Sequence, residues 1–197
     1  MSDSSVGIVL PVYRVDVDEL NKYIEGINDE ICPEEIIVEY DDPKDLDQVD
    51  TSVSLITSND RRGKGAAIKH GFNSLNTDIL VFSDGDGSIP PKSLKKIINH
   101  VKDDEADFSM GSRRHPEADQ TYHHSYTRKY LGDIFAFFVR GLMDAEFHDY
   151  QCGAKAIKRE SWEKIQNDIT KEGFSFDLEL VIRSHNRNIE IKEIPIR

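Results

Sequence analysis

Short apolar runs alternate with helical patterns along most of the chain. Val6–Val12 (VGIVLPV) is a continuous apolar run of buried-strand length. A 3.6-residue period over Asp16–Asn28 then places Leu20, Tyr23, Ile24 and Ile27 on one face. Glu35–Glu39 (EIIVE) and Ser52–Thr57 (SVSLIT) read as strands. A helix follows over Gly63–Ser74, and Asp78–Ser83 (DILVFS) is a strand. Pro90-Pro91 opens a helix with Leu94, Ile97, Ile98 and Val101 at helical spacing, since proline is favoured at helix starts. Ala106–Gly111 (ADFSMG) is a further strand. This strand–helix rhythm predicts an α/β fold with a mostly parallel, twisted sheet flanked by helices.

The later chain changes character. Arg113–Ser125 is polar and carries His115, His123 and His124, a loop pattern. Tyr126–Met143 has Leu131, Ile134, Phe135, Phe137, Phe138, Leu142 and Met143 along one helical band. Such a band is either core or a border to a lipid or membrane surface. A strand over Gly153–Ile157, helices over Glu160–Asp168 and Phe176–His185, and a strand over Ile189–Ile194 complete the pattern. The chain stops just after that strand, which suggests trimming or a missing C-terminal segment. There is no internal repeat.

At 197 residues, with 38% hydrophobic and 31% charged side chains, a packed core fits and wholesale disorder does not. No apolar run reaches spanning length, and the N-terminus lacks the basic region and cleavage site of a secretory signal. Two cysteines, Cys32 and Cys152, make no disulfide framework and sit in no CxxC, so a reducing, cytosolic setting is expected. The net charge of −12 argues against a nucleic-acid partner. Residues 1–60 hold 16 acidic and 3 basic side chains, against 21 and 22 in the remaining 137, so the later chain still offers cations to an anionic ligand.

Two segments carry candidate chemistry. Asp84-Gly85-Asp86 follows the apolar run DILVF and precedes a proline-started helix. Ligands gather beyond the carboxyl ends of parallel strands. Two acids one residue apart repel unless neutralised, and Mg²⁺ or Mn²⁺ shared with a substrate phosphate does this; a solvated acidic turn is the alternative. Asp60–Ala67 (DRRGKGAA) joins a strand to a helix and gathers glycines, cations and helix N–H groups, which suits an anion. It is not a P-loop, because GxxxxGK[ST] is absent. A plain glycine-rich helix start is the other reading.

The ordered segments PVY, EIIVEYD, RRGKGAAIKHG, DILVFSDGDG, ADFSMGSRR, DYQCGAKAIKR, FSFDLEL and EIPI together resemble glycosyltransferase family 2, and within it the dolichyl-phosphate hexosyltransferases. The resemblance covers nearly the whole chain. It implies a GT-A (Rossmann-like) fold with a smaller acceptor-side C-terminal part. It also implies a nucleotide-diphosphate sugar donor and inversion at the anomeric carbon. One catalytic domain is expected over 1–197, with a nucleotide-sugar half over 1–112 and an acceptor half over 113–197. Residue by residue, the likeness implies that Pro11 and Tyr13 begin the nucleotide pocket, Asp41 reads the base, and Lys64 lines the nucleotide and diphosphate. Asp84 and Asp86 match the acids that hold Mg²⁺ or Mn²⁺, with Asp86 the more direct ligand. Arg113 and Arg128 match the pair that receives an acceptor phosphate. Asp149, Gln151, Asp177 and Glu179 would line the sugar and acceptor side, although acids at helix starts also serve as caps.

Two departures fall in the base-binding region. Arg14-Val15 stands where the family has Asn-Glu, and Tyr40-Asp41 where it has Asp-Asp. They bear on donor identity: UDP-glucose is expected first, GDP-mannose next, with other UDP-sugars open. The expected acceptor is a polyprenyl (dolichyl) phosphate, which places the chain peripherally at the cytosolic face of a membrane. A soluble or glycan hydroxyl acceptor, needing Asp149 or Asp177 as base, is the alternative, as is a non-catalytic nucleotide-sugar-binding module. Oligomeric state stays open.

Overall fold

The computed structural model describes residues 4–42, 48–118 and 147–196. In chain order the elements are β1 (Val6–Tyr13), α1 (Val17–Ile31), β2 (Glu35–Asp41), β3 (Ser54–Ser58), α2 (Lys64–Ser74) and β4 (Ile79–Ser83). They continue with α3 (Pro91–Lys102), β5 (Phe108–Ser112), β6 (Ala154–Lys158), α4 (Arg159–Ile165), α5 (Phe176–Asn186) and β7 (Ile191–Pro195). Every expected element inside the described residues is present, with ends shifted by a turn or less. The expected helix over Tyr126–Met143, Arg128, His123 and His124 lie outside them. Among the described residues, no helix is long and apolar enough to cross a membrane.

All seven strands share one sheet in the order β3-β2-β1-β4-β6-β5-β7. Only β6 runs antiparallel, to both β4 and β5. β6 is inserted between β4 and β5, so residues on either side of 113 build one sheet together. Edge strand β7 ends in Pro195, where a missing N–H costs the ladder least.

Strand alternation sends successive side chains to opposite faces, and helices seal both. On one face Ile8, Leu10 and Val81 meet Leu20, Ile24 and Ile27 of α1 and Leu94, Ile97 and Val101 of α3. On the other, Val9, Leu80 and Phe82 meet Ile68 and Phe72 of α2, Trp162 of α4, and Phe176 and Leu180 of α5. α1 begins where the Asp16 carboxylate accepts the Glu19 N–H at 3.1 Å, a side-chain cap, with Asp18 and Glu19 favourably placed in the first turn. It ends at Cys32, in the left-handed region at φ 52°.

The sheet order sets the site. From β1 the chain adds β2 and β3 on one side, then returns to add β4 on the other. Such a reversal leaves a crevice between the carboxyl ends of β1 and β4, where open α/β sheets receive ligands. Asp84 and Asp86 lie directly past the end of β4.

Candidate active site

Phe82 and Asp84 are two residues apart, so both face the side covered by α2, α4 and α5. The first turns of α2 and α5 converge there and deliver Lys64 and Asp177. Lys155 of β6 lies opposite Phe82 in the β4–β6 ladder and joins the same face. The result is a chain of alternating charges. Lys64 Nζ stands 2.9 Å from Asp84 Oδ1 and 2.9 Å from Asp177 Oδ2. Lys155 Nζ donates to Asp177 Oδ1 at 2.6 Å and to the Cys152 carbonyl at 2.7 Å. Both ammonium groups lie over the Phe82 ring, 5.3 and 5.4 Å from its centroid.

Within it, Asp177 and Lys64 hold each other ionised. Burial penalises the Asp177 carboxylate, yet Lys155 and Lys64 outweigh it and keep the carboxyl below its usual range. Burial likewise opposes the Lys64 ammonium, and Asp177 and Asp84 overcome it and raise its pKa. Asp84 goes the other way: burial wins over Lys64 and raises its carboxyl. Asp86 is exposed, its Oδ1 accepting the Ser88 N–H at 2.9 Å. Gly153 makes room for Asp84, since a Cβ there would lie 1.9 Å from Asp84 Oδ2.

On the expected nucleotide side, Tyr13 and Asp41 are register partners at the carboxyl ends of β1 and β2. Tyr13 is exposed, with the Arg61 guanidinium 4.3 Å above its ring, and Pro11 is half-buried two residues earlier. Asp41 is buried; it accepts the N–H groups of Arg62 and Gly63 at 2.8 and 3.1 Å and Arg62 Nε at 3.0 Å. The Glu172 carbonyl accepts the Ala66 N–H at 3.1 Å. The segment predicted to gather N–H groups for an anion therefore directs several of them to the protein's own oxygens. Gly63 adopts φ 96°, and a Cβ there would lie 2.7 Å from that same carbonyl. A cleft of about 340 Å³ lined by Arg14, Val15 and Tyr40 opens beside β1, where the sequence departs from the family pattern.

On the expected acceptor side, Arg113 donates from its N–H and Nε to Asp149 Oδ2 at 3.3 and 3.2 Å. Glu193 fixes this segment by accepting the N–H groups of His148 and Asp149, each at 2.8 Å. Cys152 is free and buried below; burial pushes its thiol up to about 12, so it stays protonated. Gln151 is exposed in the turn before β6. Glu179 points elsewhere: its carboxylate accepts the N–H groups of Thr170 and Lys171 at 2.8 and 2.7 Å and takes Arg183 at 3.1 Å. Burial opposes this carboxylate, but the two N–H groups and Arg183 prevail and its pKa falls.

A stability prediction follows from Glu179. Glu179→Gln should cost about 1–2 kcal/mol at neutral pH, the range for losing charge-assisted bonds to a buried acceptor. Because the folded pKa is depressed, the contribution is full above the unfolded carboxyl range and is lost as pH falls through the lower folded value. Urea unfolding should therefore show wild type and variant converging in acid; a gap that persists there would contradict it.

Sequence reasoning did not single out Lys155 or Glu39; Glu39 is fully buried and binds Arg62 Nη2 at 2.7 Å and His70 Nδ1 at 2.6 Å. The available signal was a charged residue inside an otherwise buried strand, which has to be paired.

The profile described as "Glycosyl transferase family 2" matches residues 7–166. The chain belongs to glycosyltransferase family 2. This family-2 chain is 28% identical over 214 residues to dolichyl-phosphate beta-glucosyltransferase of Homo sapiens, covering 97% of the chain and 66% of that relative. It is 26% identical over 206 residues to glycosyltransferase AglD of Haloferax volcanii, covering 97% and 32%. To polyprenol monophosphomannose synthase of Mycolicibacterium smegmatis it is 30% identical over 148 residues, covering 73% and 55%. It thus spans between about a third and two thirds of the length of these relatives. Glucosyl-3-phosphoglycerate synthase of Mycobacterium tuberculosis, solved with Mg²⁺ and uridine diphosphate, matches with a TM-score of 0.76 at 15% identity, over 98% of this chain and 70% of that one. The same enzyme with Mn²⁺, UDP-glucose and phosphoglyceric acid gives 0.73 at 14% identity, over 98% and 70%. The likeness is one of fold, and it bears out the expected GT-A architecture.

The residues of this glycosyltransferase-family chain fit a hard divalent cation. Asp84 and Asp86 would supply its oxygen donors past the end of β4, and the absent Cβ of Gly153 leaves the Asp84 carboxylate its place. Among the described residues, no cluster of three or more metal-binding side chains forms. A hard cation held by two carboxylates would typically be shared with a substrate phosphate.

Proposed function

We propose that the chain is the catalytic part of an inverting glycosyltransferase that moves a hexose from a nucleoside-diphosphate sugar to a polyprenyl phosphate. UDP-glucose is the favoured donor and GDP-mannose the next. The names of the human and mycobacterial relatives support the lipid-phosphate acceptor, and the neighbours' complexes support a UDP-linked donor and a divalent cation. The work would take place at the cytosolic face of a membrane, with the chain in peripheral contact.

The observation that carries the acceptor reading is Asp177 between two ammonium groups. A sugar hydroxyl must lose a proton as it attacks, so it needs a base. Asp177, held below the usual carboxyl range by Lys64 and Lys155, is a weak one, and Asp149 is engaged by Arg113. A phosphate monoester, with a second pKa of about 6, is already a nucleophilic anion near neutrality. Its oxygen forms the new bond to the anomeric carbon while the bond to the diphosphate oxygen breaks, and the electron pair leaves with the nucleoside diphosphate. One displacement inverts the centre.

Lys64 would offer its ammonium to the departing diphosphate, and Asp84 and Asp86 would hold the cation. When bound, that cation supplies neutralisation of the charge growing on the leaving group. Arg113, with Arg128, would receive the acceptor phosphate through paired N–H groups, which suit guanidinium.

The test is incubation with labelled nucleotide sugars and dolichyl phosphate, with Mg²⁺ or Mn²⁺, followed by organic extraction. Label in the organic phase with UDP-glucose is expected. Label that moves only onto water-soluble sugar acceptors would replace the reading with the hydroxyl-acceptor one.

A further inference from the structure

Above, Lys155 enters only as one of the two ammonium groups flanking Asp177, yet its own ammonium is sealed in the protein. The residue is 1% exposed, and Nζ has the Cys152 carbonyl at 2.7 Å and Asp177 Oδ1 at 2.6 Å as its partners. A buried ammonium is costly to desolvate, and an apolar side chain of similar volume would fill the space without that cost. Core packing alone gives no reason for a lysine here.

The charges run in one line: Lys155, Asp177, Lys64, Asp84. The inner pair is closed from solvent, with side chains 1% and 3% exposed, whereas Lys64 and Asp84 are 11% and 34% exposed and open toward the crevice. Lys155 is tied to the backbone of Cys152 and cannot follow a ligand; Lys64 can. We propose that Lys155 is a positioning residue of the donor site: through Asp177 it sets where the Lys64 ammonium stands and keeps that ammonium available to an anionic ligand. This rests on the reading of the β4 carboxyl end as a diphosphate site.

The physics is a division of charge. With Lys155 in place, the Asp177 carboxylate is shared between two ammonium groups and neutralises neither fully. When Asp84 turns to a cation, Lys155, Asp177 and Lys64 together keep one net positive charge facing the crevice. Without Lys155, the same sealed carboxylate has Lys64 as its single ammonium partner. Attraction in a poorly screened interior then draws Lys64 onto both carboxylate oxygens and away from the ligand.

Calorimetric titration with UDP plus Mg²⁺, and with inorganic pyrophosphate, tests this on wild type, Lys155→Met, Lys64→Met and the double variant. Lys155→Met should weaken both ligands about tenfold, as for one charge-assisted hydrogen bond. In the Lys64→Met background it should change nothing further, because its effect passes through Lys64. A loss that repeats in full in that background would make Lys155 a structural residue only and overturn the proposal, as would an unchanged affinity. If Lys155→Met does not fold, Asp177→Asn and Asp177→Asn/Lys155→Met replace it. Equal affinity in these two supports the relay, and a further loss in the second overturns it. Wild type that binds neither UDP nor pyrophosphate would instead remove the diphosphate reading, and the inference with it.

Discussion

Asp86→Ala should abolish metal-dependent turnover of the nucleotide sugar, by at least about a thousandfold, whereas Asp84→Ala should leave a measurable remainder. At 1.36 kcal/mol per factor of ten, the first loss is about 4 kcal/mol of transition-state stabilisation, in the range for removing a group aimed at developing charge. The two acids differ in what surrounds them. Asp84 is partly buried and already carries Lys64 at 2.9 Å. Removing it takes away one oxygen donor but also releases Lys64 toward the diphosphate, which offsets part of the damage. Asp86 stands exposed past the strand, its carboxylate oriented by the Ser88 N–H at 2.9 Å, and its loss frees no cation. Release of UDP from UDP-glucose, followed with and without Mn²⁺, measures the first effect, and Mn²⁺ titration by electron paramagnetic resonance measures binding apart from turnover. Normal turnover by well-folded Asp86→Ala would remove the metal assignment.

The elements of this fold were legible because their signals are local. In α3, Leu94, Ile97, Ile98 and Val101 repeat at helical spacing behind a proline start, and those four residues are its buried face. The position of Asp84-Gly85-Asp86 after an apolar strand was legible for the same reason. What joins α2, β4, β6 and α5 was not. The cluster of Lys64, Asp84, Lys155 and Asp177 depends on two helices sharing one face of the sheet and on β6 running antiparallel between β4 and β5. Such pairing is decided by long-range contacts that no window of sequence contains. Lys155 was hidden because GAKAI reads as an ordinary strand, and the direction of one side chain turns on its register with Phe82. Glu179 shows the opposite problem. The pattern FDLEL placed it beside Asp177, but two residues along a helix is 200° of rotation, and its carboxylate serves the Thr170–Lys171 backbone instead.

Gly153→Ala should leave the protein folded and lower turnover about a hundredfold or more, close to 2.7 kcal/mol in the barrier. The backbone at Gly153 lies outside the left-handed region, so alanine meets no conformational penalty there. The conflict is with one side chain: the new Cβ would stand 1.9 Å from Asp84 Oδ2 and 2.4 Å from Asp84 Cγ. The main chain cannot yield easily, because Asp84 N–H donates to the Gly153 carbonyl at 2.9 Å and Ser83 pairs with Ala154 in the next register position. The carboxylate must therefore rotate, which breaks its 2.9 Å contact with Lys64 and moves an oxygen donor out of the crevice. Thermal melting checks the fold, and kcat/KM with the donor reads the loss. The sharper measurement uses the Asp84→Ala background, where the side chain that collides is gone. Gly153→Ala should then cost almost nothing further. A full second loss in that background would show that the methyl group acts through the backbone of β6 and not through Asp84.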